Sequence, residues 1–274
     1  MKSVAAKSVV YLVLTSFSIV FLMPFYITFM GSFKSFAEIF GNVFGLPESW
    51  SFENYFNVIE RVNLISAFRN SIIITVFSVI GIVFIASMAA YRLARVDNRF
   101  HRVLYFVFVA SMVIPFPAIM LPLIRTISNL QLFNTHFGVI ISYYGLGTAF
   151  ATILYYGFLK TVPADMEEAA AVDGCSQQRI YFSIVMPMLK PTTATLVVLN
   201  IIWFWNDFLL PALLLTRIYM RTIPLAIALL FDMFTSRWDL AMAAVIMCII
   251  PPLIVFLAFQ RFIVSGIAAG AVKG

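Results

Sequence analysis

Six stretches of this chain run for about 20 to 26 residues with almost no charge, over 8–33, 70–91, 103–124, 137–159, 191–216 and 240–260. Only the fifth is interrupted, by Asp207. A helix needs about 20 mostly apolar residues to cross a hydrocarbon core. Lipid offers the backbone no hydrogen bonds, which leaves helices or closed barrels, and a barrel shows weaker alternating segments of about 10 residues. Continuous runs therefore predict an all-α membrane protein of six transmembrane helices with both termini on one side. Composition agrees: 62% of the 274 residues are hydrophobic and 11% charged, against about 45–50% and 25% in soluble domains. A water-soluble fold of this size leaves roughly a quarter of its unfolded surface exposed and could not hide that much apolar area. Disorder is excluded by the same figures, and a disulfide scaffold by there being only Cys175 and Cys248.

The net charge of +6 reads as a topology signal rather than as an affinity for nucleic acid. Arg92, Arg95, Arg99 and Arg102 sit between the second and third windows, whereas only Arg125 lies between the third and fourth. That contrast puts the second-to-third connection, and with it both termini, in the cytoplasm. The segments so assigned hold eleven basic and five acidic residues, against seven of each in the outer segments and fifth span together. The first window is longer than the 7–15 residues of a signal-peptide core, lacks a small-residue cleavage pattern, and reads as a retained helix. The chain then divides into a first span with a long external loop (1–66), a five-span core (67–265) and a cytoplasmic tail (266–274).

Two connections are long enough to carry structure. In the first external loop, Ser51 is placed to cap a helix whose face Phe52, Tyr55, Phe56, Ile59 and Val62 share, with Glu53, Glu60 and Arg61 pointing away. That helix either rests at the membrane interface or offers a surface to an external partner. The cytoplasmic connection 160–191 is too long for a turn. Asp165 follows Pro163 at a helix start, with Glu167 and Glu168 in the first turn, where acidic groups suit the positive end of the helix dipole. Ala169, Ala170 and Ala171 propagate the helix and Gly174 is placed to end it in a left-handed cap. A second segment starts at Ser176 and runs until Pro187 and Pro191 break it. The pair is either a knob that fits a groove on another protein or a plain surface hairpin.

Polar and special residues inside the spans are few. Asn200 falls near the midplane of the fifth span and Asp207 nearer its outer end, where an intramembrane charge faces a bundle or wet cavity, or pairs with Arg217 or Arg221 to hold a gate. Trp203, Phe204 and Trp205 suit either stacking on sugar rings or packing. Pro115, Pro117 and Pro122, and the pair Pro251 and Pro252, remove helical hydrogen bonds and either bend the pathway or merely kink helices. The chain has no Gly-Lys dipeptide, so it cannot form the phosphate-cradling loop that binds ATP, and His101 and His136 stand without a metal-ligand pattern.

The residues of the cytoplasmic connection carry a resemblance. Glu168-Ala169-Ala170, three residues, Gly174, nine residues, then Ile184-Val185-Met186-Pro187 resemble the EAA loop of binding-protein-dependent ABC importer permeases, with Met186 at the usual leucine. Trp205-Asn206-Asp207-Phe208-Leu209-Leu210-Pro211 is similar to the W-N-[ED]-F-x-x-P run of the carbohydrate-uptake branch. Gln260-Arg261-Phe262, the Gly266–Gly270 spacing, the final Val272-Lys273-Gly274, and Pro24-Phe25 with Ser32-Phe33-Lys34 match the ends of that branch. The resemblance implies a type I importer permease with the maltose-transporter architecture, in a bacterial or archaeal inner membrane, passing a sugar from an external solute-binding protein. Its partners would be a second homologous permease and two ATPase subunits that bind the ATP, this chain being no enzyme and holding no cofactor or metal of its own. It further implies ATPase coupling through Glu168, Ala169, Ala170, Asp173, Gly174 and Pro187, while the polar and aromatic residues of the fifth span, Asn200, Trp203, Asn206 and Asp207, are the candidates for a sugar pathway on this chain. Contact with the binding protein would fall on Asp232, Arg237 and Trp238. Glycerol phosphate or a polyol is the alternative cargo. An ion-coupled transporter working alone would need intramembrane acidic or histidine relays, or inverted repeats, and the sequence shows neither.

Overall fold

The computed structural model describes residues 2–231 and 237–271, and side chains over 7–231 and 237–260. Every regular element among them is helical. Four helices are each long and apolar enough to cross a membrane: α1 (Lys2–Gly31), α4 (Leu64–Arg95), α7 (His136–Leu159) and α13 (Trp238–Ala271). The shortest, α7, has 24 residues and at 1.5 Å per residue spans about 36 Å, enough for a hydrocarbon core of about 30 Å. Two further candidates are bent pairs, α5 (Arg99–Val113) with α6 (Phe116–Asn129) at 105°, and α9 (Gln177–Met188) with α10 (Lys190–Asn206) at 71°. Among the described residues, length and composition thus give four candidate spans, or up to six if each bent pair counts as one.

The third window is therefore not the single helix expected over 103–124. Ile114, extended at ψ 116°, precedes Pro115, whose ring disfavours a helical residue before it, and α6 restarts with Pro117 in its first turn, where its missing N–H is not needed. The fifth window also departs from expectation: α10 ends at Asn206, Asp207 turns out at ψ 122°, and a short α11 (Leu209–Leu214) follows. Pro251 and Pro252 do not interrupt α13, since a fixed φ near −65° suits a helix and neighbours can re-satisfy the released carbonyls. Pro187 likewise does not end its helix. A π-turn at Tyr181–Val185 precedes it, Met186 N–H bonds to the Tyr181 carbonyl, and α9 runs on to Met188.

The chain falls into two compact units: the described residues up to Ile65 with those of Leu225–Ile250, and Ser66–Pro224 with the described residues from Pro251. In the first unit the connection after α1 is folded. Lys34, 1% exposed, donates to the carbonyls of Asn42 and Gly45, and Asn54 Nδ2 donates to the carbonyls of Ser32 (3.0 Å) and Lys34 (2.8 Å). Phe33 gathers Trp50, Phe52 and Tyr55 with ring centroids 5.1 to 5.5 Å away. Ser35 caps α2 (Phe36–Gly41), an element the periodicity does not signal. The expected helix is α3 (Glu53–Arg61), with Phe52 at the cap position and the Ser51 hydroxyl accepting from Glu53 N–H at 3.2 Å. Its buried face is centred on Val58 and Val62, while Phe56 is exposed with Glu53, Glu60 and Arg61. No part of α1's apolar window is buried, and only its last residues close onto the chain, where a Cβ on Gly31 would strike the Met242 sulfur.

In the second unit α7 is the central helix, with more than half of its apolar window buried. Tyr143 stacks on Phe204 of α10 at 4.1 Å, Tyr155 donates to Thr193 Oγ1 at 2.9 Å, and Tyr156 meets Tyr105 of α5 at 4.6 Å. Hydroxyls in the helices donate back one turn, Ser142 to Gly138 and Thr195 to Pro191, which removes unpaired polar groups from an apolar setting. At the far end of the unit, Asn70 Nδ2 donates to the Tyr219 and Arg221 carbonyls and Ser71 Oγ accepts from Ile223 N–H, the first residue of α12 (Ile223–Ala228).

Candidate functional site

The connection between α7 and α10 forms two helices and a glycine turn. α8 (Asp165–Val172) begins with Asp165, Glu167 and Glu168 in its first turn. It ends in a Schellman arrangement, with Cys175 N–H bonded to the Ala170 carbonyl at 3.0 Å and Gly174 at φ +80°, the left-handed residue the sequence predicts. Ser176 Oγ then accepts from Arg179 N–H and caps α9.

The inner face of this pair is anchored. Glu167 Oε1 accepts from Arg95 Nε at 3.0 Å and Nη2 at 2.8 Å, and Arg95 Nη1 donates to the carbonyl of Leu159 at 3.2 Å. Side-chain exposures of 18% for Arg95 and 10% for Glu167 keep the pair largely from solvent, so one guanidinium joins the ends of α4, α7 and α8. A second anchor holds α9, where the Tyr181 and Ser87 hydroxyls lie 2.7 Å apart. The outer face is bare: Glu168, Ala169, Asp173, Gly174 and Pro187 are exposed and Ala170 half-buried, beside exposed Met166, Val172 and Phe182. Sequence reading singles out Glu168 and misses Glu167. The available signal is that neighbouring helical residues point about 100° apart, so two adjacent acids cannot face one way.

A second candidate site lies where the bent pair α5–α6 faces α7 and α10. A cavity of about 410 Å³ opens there, lined among others by Ser111, Phe116, Gly145, Trp203, Asp207 and Leu210. Of the four residues expected along a pathway, it brings together Trp203, 42% exposed, and Asp207. Asn200 is buried at 1% exposure, its Nδ2 without a hydrogen-bond partner among the described residues, and does not line the cavity. Asn206 is exposed and donates to the Ile202 carbonyl at 2.7 Å. The expected pairing of Asp207 with Arg217 or Arg221 is absent. Asp207 Oδ2 accepts from the Tyr143 hydroxyl at 2.8 Å and Oδ1 from Leu209 N–H at 3.0 Å, because the chain turns at this residue and the carboxylate reaches the first N–H of α11. Arg217 donates instead to the Tyr219 hydroxyl, and its N–H to Asn134 Oδ1.

The third expected group is only partly assembled. Asp232 lies outside the described residues. Arg237 is held by Asp239 through two contacts, Nε to Oδ1 at 2.9 Å and Nη2 to Oδ2 at 2.6 Å, and so offers no free charge, while Trp238 packs edge-on to Phe231 at 5.4 Å and stays 43% exposed.

Residues 81–269 match the family described as binding-protein-dependent transport system inner membrane component. The chain is 43% identical over 256 residues to the Probable starch degradation products transport system permease protein AmyC of Thermoanaerobacterium thermosulfurigenes, covering 93% of each chain. It is 33% identical to the Melibiose/raffinose/stachyose import permease protein MelC of Bacillus subtilis, over 92% of this chain and 91% of that one. Among solved structures, a chain of a bacterial ABC transporter involved in the import of the acidic polysaccharide alginate superposes with a TM-score of 0.80 at 28% identity, covering 95% of this chain and 98% of that one.

Proposed function

Because the chain belongs to the family of binding-protein-dependent transport system inner membrane components, we propose that it is one permease subunit of an ATP-driven importer for a sugar or oligosaccharide. The cargoes named for its relatives, starch degradation products and melibiose, raffinose and stachyose, support a saccharide. Six spans follow if each bent pair crosses once, and the arginine-rich connection supports termini in the cytoplasm of a bacterial or archaeal cell. A second permease completes the pathway, an external solute-binding protein delivers the sugar, and two ATPase subunits supply the hydrolysis.

One observation carries the reading: the α8–α9 pair is fastened to the spans on one face and bare on the other. Glu168, Ala169, Ala170, Asp173, Gly174 and Pro187 dock in this scheme on an ATPase subunit. Closure of the ATPases on ATP pushes the pair, and Arg95 and Tyr181 pass the displacement to α4 and α7 as rigid levers. The pathway runs past Trp203 and Asp207, and the Trp238 region faces the binding protein. The test is uptake into vesicles holding the four-subunit complex. Uptake that needs both ATP and the binding protein is expected, and uptake by this chain alone, driven by an ion gradient, overturns the assignment.

A further inference from the structure

The cavity beside Asp207 has features of a ligand site in its own right. At about 410 Å³ it falls in the range of about 300–1,000 Å³ typical of small-molecule sites. Trp203 and Phe116 are its aromatic lining residues. Its one ionisable side chain is the Asp207 carboxylate, already oriented by Tyr143 and Leu209 N–H. Each carboxylate oxygen takes one protein hydrogen bond and retains capacity to accept another.

Gly145 lines the cavity and leaves room for a side chain there. A Cβ built there meets nothing within 4 Å, whereas one on Gly147, a half-turn on, would lie 2.6 Å from Ile82.

We propose that this cavity is a subsite on this chain for one ring of a neutral saccharide. The aromatic faces take the C–H face of the pyranose, and Asp207 accepts two of its hydroxyls. An acidic ring is disfavoured there, because the lining offers it a carboxylate and no basic side chain. The proposal rests on the sugar-importer reading and goes beyond it by placing a binding site on this subunit and setting the charge of the cargo.

The test uses the full complex with its binding protein in proteoliposomes, supplied with maltotriose, raffinose, diacetylchitobiose and trigalacturonate in turn. The wild type is expected to take up at least one neutral sugar and no trigalacturonate. Gly145→Leu, which fills the cavity, and Trp203→Ala, which removes its platform, are each expected to cut that uptake at least tenfold. Gly157→Leu is the matched control: it lies on the same helix, its Cβ also meets nothing, and it is outside the cavity. Gly157→Leu is expected to transport within twofold of wild type, so that loss in Gly145→Leu reports the cavity and not a damaged α7. Wild-type rates in both Gly145→Leu and Trp203→Ala, or trigalacturonate as the preferred cargo, overturn the subsite while leaving the importer reading intact. No ATP-dependent uptake of any of the four sugars overturns the saccharide reading on which the subsite rests.

Discussion

Removing the charge of Glu167 without changing its shape, as Glu167→Gln, should loosen α8 from the rest of the chain. In the wild type one carboxylate oxygen takes two guanidinium N–H groups at 3.0 and 2.8 Å, and both side chains are largely buried. A hydrogen bond to a charged group is worth about 1.5–3 kcal/mol net. A fully buried pair that loses one partner costs about 3–5 kcal/mol, because the remaining charge stays stranded. The pair here is not fully buried, and Arg95 keeps the Leu159 carbonyl, so about 2 kcal/mol is the expected loss, which corresponds to roughly 30-fold in the population of the undocked helix. Hydrogen exchange on the complex in lipid reads this directly: amides of α8 should exchange about 30-fold faster, while those of the buried face of α7 keep their rates. Arg95→Met should act similarly, and the double variant should be little worse than either single one, since the two changes remove one interaction. Under the proposed coupling to ATPase subunits, the functional counterpart is more ATP hydrolysed per sugar moved. Unchanged exchange in α8, or additive effects of the two substitutions, refutes the argument that this pair is the fastening.

Three further outcomes follow from the geometry. Gly174→Leu forces an L-residue to φ +80°, a conformation costing about 1–2 kcal/mol, and sugar uptake should be lost while subunits still co-purify; full uptake would refute a lever role for the turn. Lys34→Met leaves the Asn42 and Gly45 carbonyls without their buried donor and should destabilise the folded segment after α1 by about 1–3 kcal/mol, measured as faster amide exchange over α2. In a Cys248→Ala background, a membrane-impermeant maleimide should label the half-buried Cys175 in inside-out but not in right-side-out vesicles, and the reverse pattern would invert the topology.

What could be read from sequence follows the kind of signal each feature leaves. Apolar runs locate helical material well, and the glycine and serine that end α8 and cap α9 are local effects, settled within a few residues. Run length is blind to direction, however, so 103–124 reads as one span although Pro115 turns the chain by 105°. The same blindness hides the exit at Asp207, where the carboxylate takes the first N–H of a new short helix. A search for opposite charges sends Asp207 to the arginines nearest in the chain, yet its partner is Tyr143, 64 residues away and neutral. Lys34 illustrates the third case. Nothing local marks it as buried, because the carbonyls that hold it arrive only once the following segment has folded around it.

The bareness of α1 has a consequence for how such a chain can change over generations. With no part of its apolar window buried against the rest of the protein, and only its last residues fitted to the chain near Met242, most substitutions among apolar side chains over 8–24 leave folding untouched. Selection on that stretch can then come only from what surrounds it, the bilayer or a partner subunit of the proposed complex. Its sequence should drift at the pace of those neighbours, while α7, locked from within, stands still.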